Sequence, residues 1–120
     1  FLPSYRMDSK KPFDPRIVED MLKVVVDTQI EHHGKFQLGD AKIMQQFVRT
    51  LSEEILFQVK LREFDRYRIF VEITLGEMRY QGYQQNVAVL WDIEKDSMAT
   101  YLFERSDIFL ATNVYGIYYD

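Results

Sequence analysis

Any chemistry performed by this chain has to come from a short inventory of side chains. Its 120 residues include no cysteine and two histidines, His32 and His33. Without cysteine there is no thiolate nucleophile, no disulfide framework and no thiolate-bound zinc. The histidines are neighbours, so on a helix they diverge by about 100° and cannot both ligate one metal from one face; no HExxH spacing occurs, and the pair reads as the polar last turn of a helix. Ser52 falls inside a helical pattern, and neither Ser97 nor Ser106 has the GxSxG setting of a nucleophile elbow. Glycines 34, 39, 76, 82 and 116 never gather into GxxxxGK or GxGxxG, so no phosphate-cradling loop is visible. The pairs Glu53 with Glu54 and Glu72 with Glu77 have the composition of an acid–base couple, but the first sits on a polar helical face and Glu72 points outward from a strand, where water solvates a charge. Arg66 and Arg68 flank Tyr67, a spacing that can stack single-stranded nucleic acid; an RNA-recognition sheet, however, interleaves strands with helices, and a net charge of −4 offers little to phosphates. Apolar runs such as residues 24–26 fall far short of the ~20 residues that cross a bilayer. The expectation is a protein with no catalytic residue, cofactor or metal, whose partners include neither nucleic acid nor membrane.

The elements are those of a small α+β domain. At 47% apolar and 15% aromatic residues the chain can offset its conformational entropy, and its length suits a single core. It opens on Phe1 rather than Met, as a trimmed chain would, so a targeting signal upstream would lie outside it. Residues 1–13 carry Pro3, Ser4, Asp8, Ser9 and Pro12 without period and read as an extended arm, ahead of a domain at 14–120. Asp14 as N-cap, Pro15 at the first helical position and Phe13 stapling onto Val18 predict a helix over 15–32, with Ile17, Val18, Met21, Leu22, Val24 and Val25 at helical spacing. Ile43, Phe47, Val48, Leu51, Ile55 and Val59 mark a second amphipathic helix ending near Leu61. From Tyr67 the period becomes two: Tyr67, Ile69, Val71, Ile73 and Leu75 alternate with Arg68, Phe70, Glu72 and Thr74. Residues 76–83 break the pattern, 85–91 resume it, 98–103 follow as a hairpin partner, and 108–119, apolar on both sides, suits a central strand. Trp91 and Asp92 read as a hairpin anchor, and Gly116 as the site of a bulge or the close approach of another backbone. Two N-terminal helices therefore pack on a four-stranded antiparallel sheet.

This order, together with Ser4-Tyr5-Arg6-Met7, Phe64-Asp65-Arg66-Tyr67-Arg68, Leu75-Gly76-Glu77, Leu90-Trp91-Asp92 and the run Ala111-Thr112-Asn113-Val114-Tyr115-Gly116-Ile117-Tyr118-Tyr119, resembles the Tctex-type dynein light chains, with the Tctex-2-like branch favoured by the arm. The resemblance implies a non-enzymatic subunit of a dynein motor that forms a strand-exchanged dimer with a second Tctex-type light chain, a heterodimer more readily than a homodimer. It implies a partner too: an extended segment of a dynein intermediate chain, captured by β-augmentation at a sheet edge. Carried onto this sequence, the exchanged strand is Gln85, Asn86, Val87, Ala88, Val89 and Leu90, and the docking edge is Ala99, Thr100, Tyr101, Leu102 and Phe103. Tyr5, Met7 and Phe13 give the arm apolar anchors for a neighbouring subunit. The location expected from the same branch is the cytoplasm and its cytoskeleton, in the axoneme of a cilium or flagellum. Retrograde intraflagellar-transport dynein, cytoplasmic dynein and a dynein-independent cargo adaptor are the alternatives.

Overall fold

The computed structural model describes residues 11–33, 35, 40–78 and 97–118. Helix α1 (Pro15–His33) starts where Asp14 caps it, the Asp14 carboxylate accepting from the Arg16 N–H at 3.0 Å. Helix α2 (Ala41–Leu61) has a cap the sequence reading passed over: Asp40 accepts from the Ile43 N–H at 3.2 Å, an interaction typically worth ~1 kcal/mol. Strands β1 (Tyr67–Glu77), β2 (Ser97–Glu104) and β3 (Ile108–Tyr118) form an antiparallel sheet in the order β1-β3-β2. The strand apolar on both sides thus lies in the middle, as its pattern requires. The second of the four expected strands, at 85–91, and the Trp91–Asp92 turn lie outside the described residues.

Both helices cover one face of the sheet, α1 over β2 and α2 over β1. The core between them includes Val18, Leu22, Val26, Leu51, Ile55, Ile108, Leu110 and Val114, all fully buried. On α1 the buried stripe is Val18, Met21, Leu22, Val26 and Ile30, whereas Ile17 and Val24, expected on it, are exposed. Six apolar residues within nine positions leave the phase of the stripe open, and contact with β2 selects the side that continues to Val26 and Ile30. Ile43 of α2 is likewise exposed.

Two glycines take large rings. An added Cβ on Gly116 would stand 2.5 Å from the Phe13 ring, so the close approach expected there is made by a side chain, with no bulge in the β1 or β2 register. Phe13 itself, expected to reach a neighbouring subunit, is 5% exposed and stacks at 5.2 Å on Phe64 and 5.9 Å on Tyr67. It belongs to this chain's own core; Tyr5 and Met7 lie outside the described residues. Gly76, read as the end of the first strand, is instead paired with Phe109 of β3, whose ring lies over it and lets β1 continue to Glu77. Between α2 and β1 the chain turns through left-handed Glu63 (φ 55°) and Arg66 (φ 65°), and the Asp65 N–H donates to the Lys11 carbonyl at 2.9 Å, tying the start of the described chain to this corner.

Candidate binding edges and an uncovered sheet face

Among the described residues no three His, Asp or Glu residues could hold a metal ion, and no helix is long and apolar enough to cross a membrane. His32 and His33 are exposed at the end of α1, with ring centroids 6.2 Å apart. The Ser52 hydroxyl is spent on the Arg49 carbonyl at 2.8 Å, and Glu54 accepts from the Gln58 side chain at 3.0 Å.

The sheet edges carry what binding capacity the geometry offers. The Arg105 N–H donates to the Ile108 carbonyl at 2.9 Å, closing the β2–β3 connection. Antiparallel pairs alternate between hydrogen-bonded and non-bonded, so counting back in register assigns Phe103, Tyr101 and Ala99 to the ladder with β3. The main-chain N–H and C=O groups of Thr100 and its neighbours Met98 and Leu102 then face the outer edge of β2. Among the described residues the expected docking stretch is therefore an edge strand, with Ala99 buried, Tyr101 and Phe103 half-buried toward the helices, and Thr100 and Leu102 exposed. The sheet's other edge escaped the sequence reading. The Met78 N–H donates to the Asp107 carbonyl at 3.0 Å, and the same alternation turns the main-chain groups of Ile69, Val71 and Ile73 outward along β1. Two hollows flank that edge, one of about 410 Å³ lined by Val59, Phe64 and Ile69 among others, and one of about 400 Å³ lined by Met44, Val48 and Leu75 among others. Strand order alone decides which strands are edges, and no local pattern carries it.

One polar clasp holds β2 under α1. The Tyr101 hydroxyl donates to Asp27 at 2.7 Å, Lys23 reaches Asp27 at 3.7 Å, and the Lys23 ammonium lies 5.8 Å from the centre of the Tyr101 ring. Burial of the phenol, and after it the hydrogen bond and the charge of Asp27, push its pKa up to about 12. A raised phenol pKa means that the fold favours the neutral form. The stabilisation is whole below pH ~10, the ordinary tyrosine value, and is lost as pH rises from there through about 12. In a rapid pH-jump titration of tyrosinate absorbance, Tyr101→Phe should remove a step centred near 12; a missing step centred near 10 would show that the clasp does not form.

The face of the sheet away from the helices is the feature least expected from the alternation. Phe70, Tyr115 and Met98 stand in one row across the three strands. Phe70 is 53%, Met98 48% and Leu102 54% exposed. Glu72, read as merely solvated, lies in the next row: Asn113 Nδ2 donates to its Oε1 at 3.1 Å and the Tyr115 hydroxyl to the same oxygen at 2.8 Å. Burial and then this carboxylate raise the Tyr115 pKa. The signal was present in the sequence only in part: Phe109, Ala111, Tyr115 and Ile117 make the outward set of β3 largely apolar, whereas β1 adds Phe70 alone and β2 adds Met98 and Leu102.

Comparison with known proteins gives this geometry a setting. The profile of the Tctex-1 family matches residues 12–117. The chain is 32% identical over 117 residues to the dynein light chain Tctex-type 5-B of Xenopus laevis, across 98% of this chain and 64% of that protein. It is 30% identical over 117 residues to the human dynein light chain Tctex-type 5, across 96% of this chain and 62% of that protein. With the bovine dynein light chain Tctex-type protein 2B it shares 28% identity over 111 residues, across 89% of this chain and 68% of that protein. The chain thus spans less than two thirds of the length of the Tctex-type 5 relatives.

Proposed function

This chain belongs to the Tctex-1 family, and from that membership and the geometry of its sheet we propose that it is a non-catalytic light chain of an axonemal dynein, acting as a dimer with a second Tctex-type light chain and holding an extended segment of a dynein intermediate chain. The observation that carries this reading is the outer edge of β2, where main-chain donors and acceptors around Thr100 face away from β3. An extended peptide satisfies such an edge by adding as a strand, its backbone supplying affinity and its alternate side chains the selection. Dimerisation has support of its own in the uncovered face bearing Phe70, Met98 and Leu102, since large apolar patches on a small domain mark association surfaces. Exchange of residues 85–90 between the two chains completes the dimer, and a dimer presents two docking edges, raising the effective concentration for paired intermediate chains. The names of the relatives favour a dynein over an unrelated assembly.

Affinity capture of the tagged chain from ciliated cells tests the proposal. Recovery of an axonemal dynein intermediate chain from the salt extract of isolated axonemes is the expected result. Recovery only from the detergent-soluble matrix or the cytosol would overturn the axonemal placement, and capture without any dynein intermediate chain would overturn the light-chain reading.

A further inference from the structure

Two carboxylates stand on the sheet face away from the helices among the described residues, Glu104 in the end row with Phe109 and Gly76, and Glu72 between the apolar side chains of Phe70, Met98 and Leu102. Glu72 stands in the middle of five cross-strand rows, level with Asn113 of β3 and Thr100 of β2 and beside the Phe70, Tyr115 and Met98 row. Both of its donors, Asn113 and Tyr115, converge on Oε1, and no described residue donates to Oε2. Both donors are neutral, so they orient the charge without cancelling it. Arg68 is the only cation that the alternation places on this face among the described residues, and it stands at the end row, paired with Ile117.

Covering such a face takes Glu72 out of water. A buried carboxylate with one oxygen unmatched and its charge uncompensated is strongly disfavoured, whereas a cation or strong donor supplied from the opposite side relieves the penalty. A second copy of this chain brings the same carboxylate set among the same apolar side chains. A related sheet carrying Lys or Arg at the facing position brings the missing partner. We infer that Glu72 selects the dimer partner: the face pairs with a non-identical Tctex-type sheet that sets a cationic side chain against Glu72, and the carboxylate works against pairing with a second copy. Specificity of this kind comes from a penalty on the wrong complex as much as from contacts in the right one. The inference rests on the dimer reading above and adds what decides the partner.

Sedimentation equilibrium of the full 120-residue chain separates the two claims, with circular dichroism first establishing that each variant is folded. Glu72→Gln keeps the shape and both hydrogen bonds but removes the charge, and it should tighten self-association at least tenfold. An equimolar mixture of the native chain with Glu72→Lys should associate at least tenfold more tightly than either alone, and that advantage should shrink with added salt. Self-association unchanged or weakened in Glu72→Gln, or a mixture no tighter than its components, would overturn the role of Glu72. Phe70→Glu in the Glu72→Gln background tests the face itself. If it abolishes association while Glu72→Gln alone changes nothing, the interface stands and the selectivity falls; if it leaves association untouched, the face is not the interface, and the preceding reading fails there. Monomers throughout would overturn both.

Discussion

Thr100→Pro should weaken capture of the intermediate-chain segment roughly ten- to a hundredfold, the effect of leaving one main-chain hydrogen bond of the complex unmade at a cost of ~1–3 kcal/mol, whereas Thr100→Ala should change it little. The contrast follows from the ladder. Register and the closing Arg105 to Ile108 bond assign Ala99, Tyr101 and Phe103 to β3 and turn the Thr100 N–H outward, so proline at 100 removes a donor from the edge and none from the sheet's own ladder. Its side chain is exposed and belongs to no buried cluster, which is why truncation to alanine spares binding. Fluorescence anisotropy with a labelled intermediate-chain peptide measures both variants, after circular dichroism and sedimentation show them folded and associated like the native chain. Equal affinities would rule out strand addition at this edge. Ala99→Pro is the informative companion: it deletes a β3 ladder bond at a fully buried position and should unfold the domain instead of merely blocking the edge.

A comparable loss, in stability this time, is expected at the contact between the start of the described chain and the end of β3. Phe13 packs on Gly116, Phe64 and Tyr67 at 5% exposure, and Phe13→Ala should cost ~3–5 kcal/mol, the usual range for emptying a buried phenylalanine site. Gly116→Ala in the native background forces a methyl to within 2.5 Å of the ring and should cost ~1–3 kcal/mol by overpacking. In the Phe13→Ala background the ring is gone, and the same Gly116→Ala change should become neutral or stabilising, because alanine loses less backbone entropy in a strand than glycine. Urea denaturation of the four proteins closes the cycle. Additive costs would mean that Phe13 does not sit on Gly116.

The family assignment shows how far local signals reach. Helix starts at Asp14 and Pro15, the second helix ending at Leu61 and the strands opening at Tyr67 and Ile108 were all legible, because caps, period and turn chemistry are properties of a few neighbouring residues. The centrality of β3 was legible too, since a strand covered on both sides must be apolar on both sides. The phase of the α1 stripe was not: Val24 and Val26 are equally apolar, and only contact with β2 buries one and exposes the other.

The site divides in the same way. The absence of cysteine and the adjacency of the two histidines were enough to set aside whole classes of chemistry, and the alternation at 98–103 was enough to name a strand with one side turned from the core. Packing decided the rest. Phe13 was free in sequence to serve a partner, and the space above Gly116 drew it into the chain's own core. Glu72 on β1 stands more than forty positions from Asn113 and Tyr115 on β3. Composition determined that no thiolate or disulfide chemistry is open to these 120 residues; strand order determined which strands of the described sheet are edges, because pairing between distant segments depends on energies that no short stretch of residues contains.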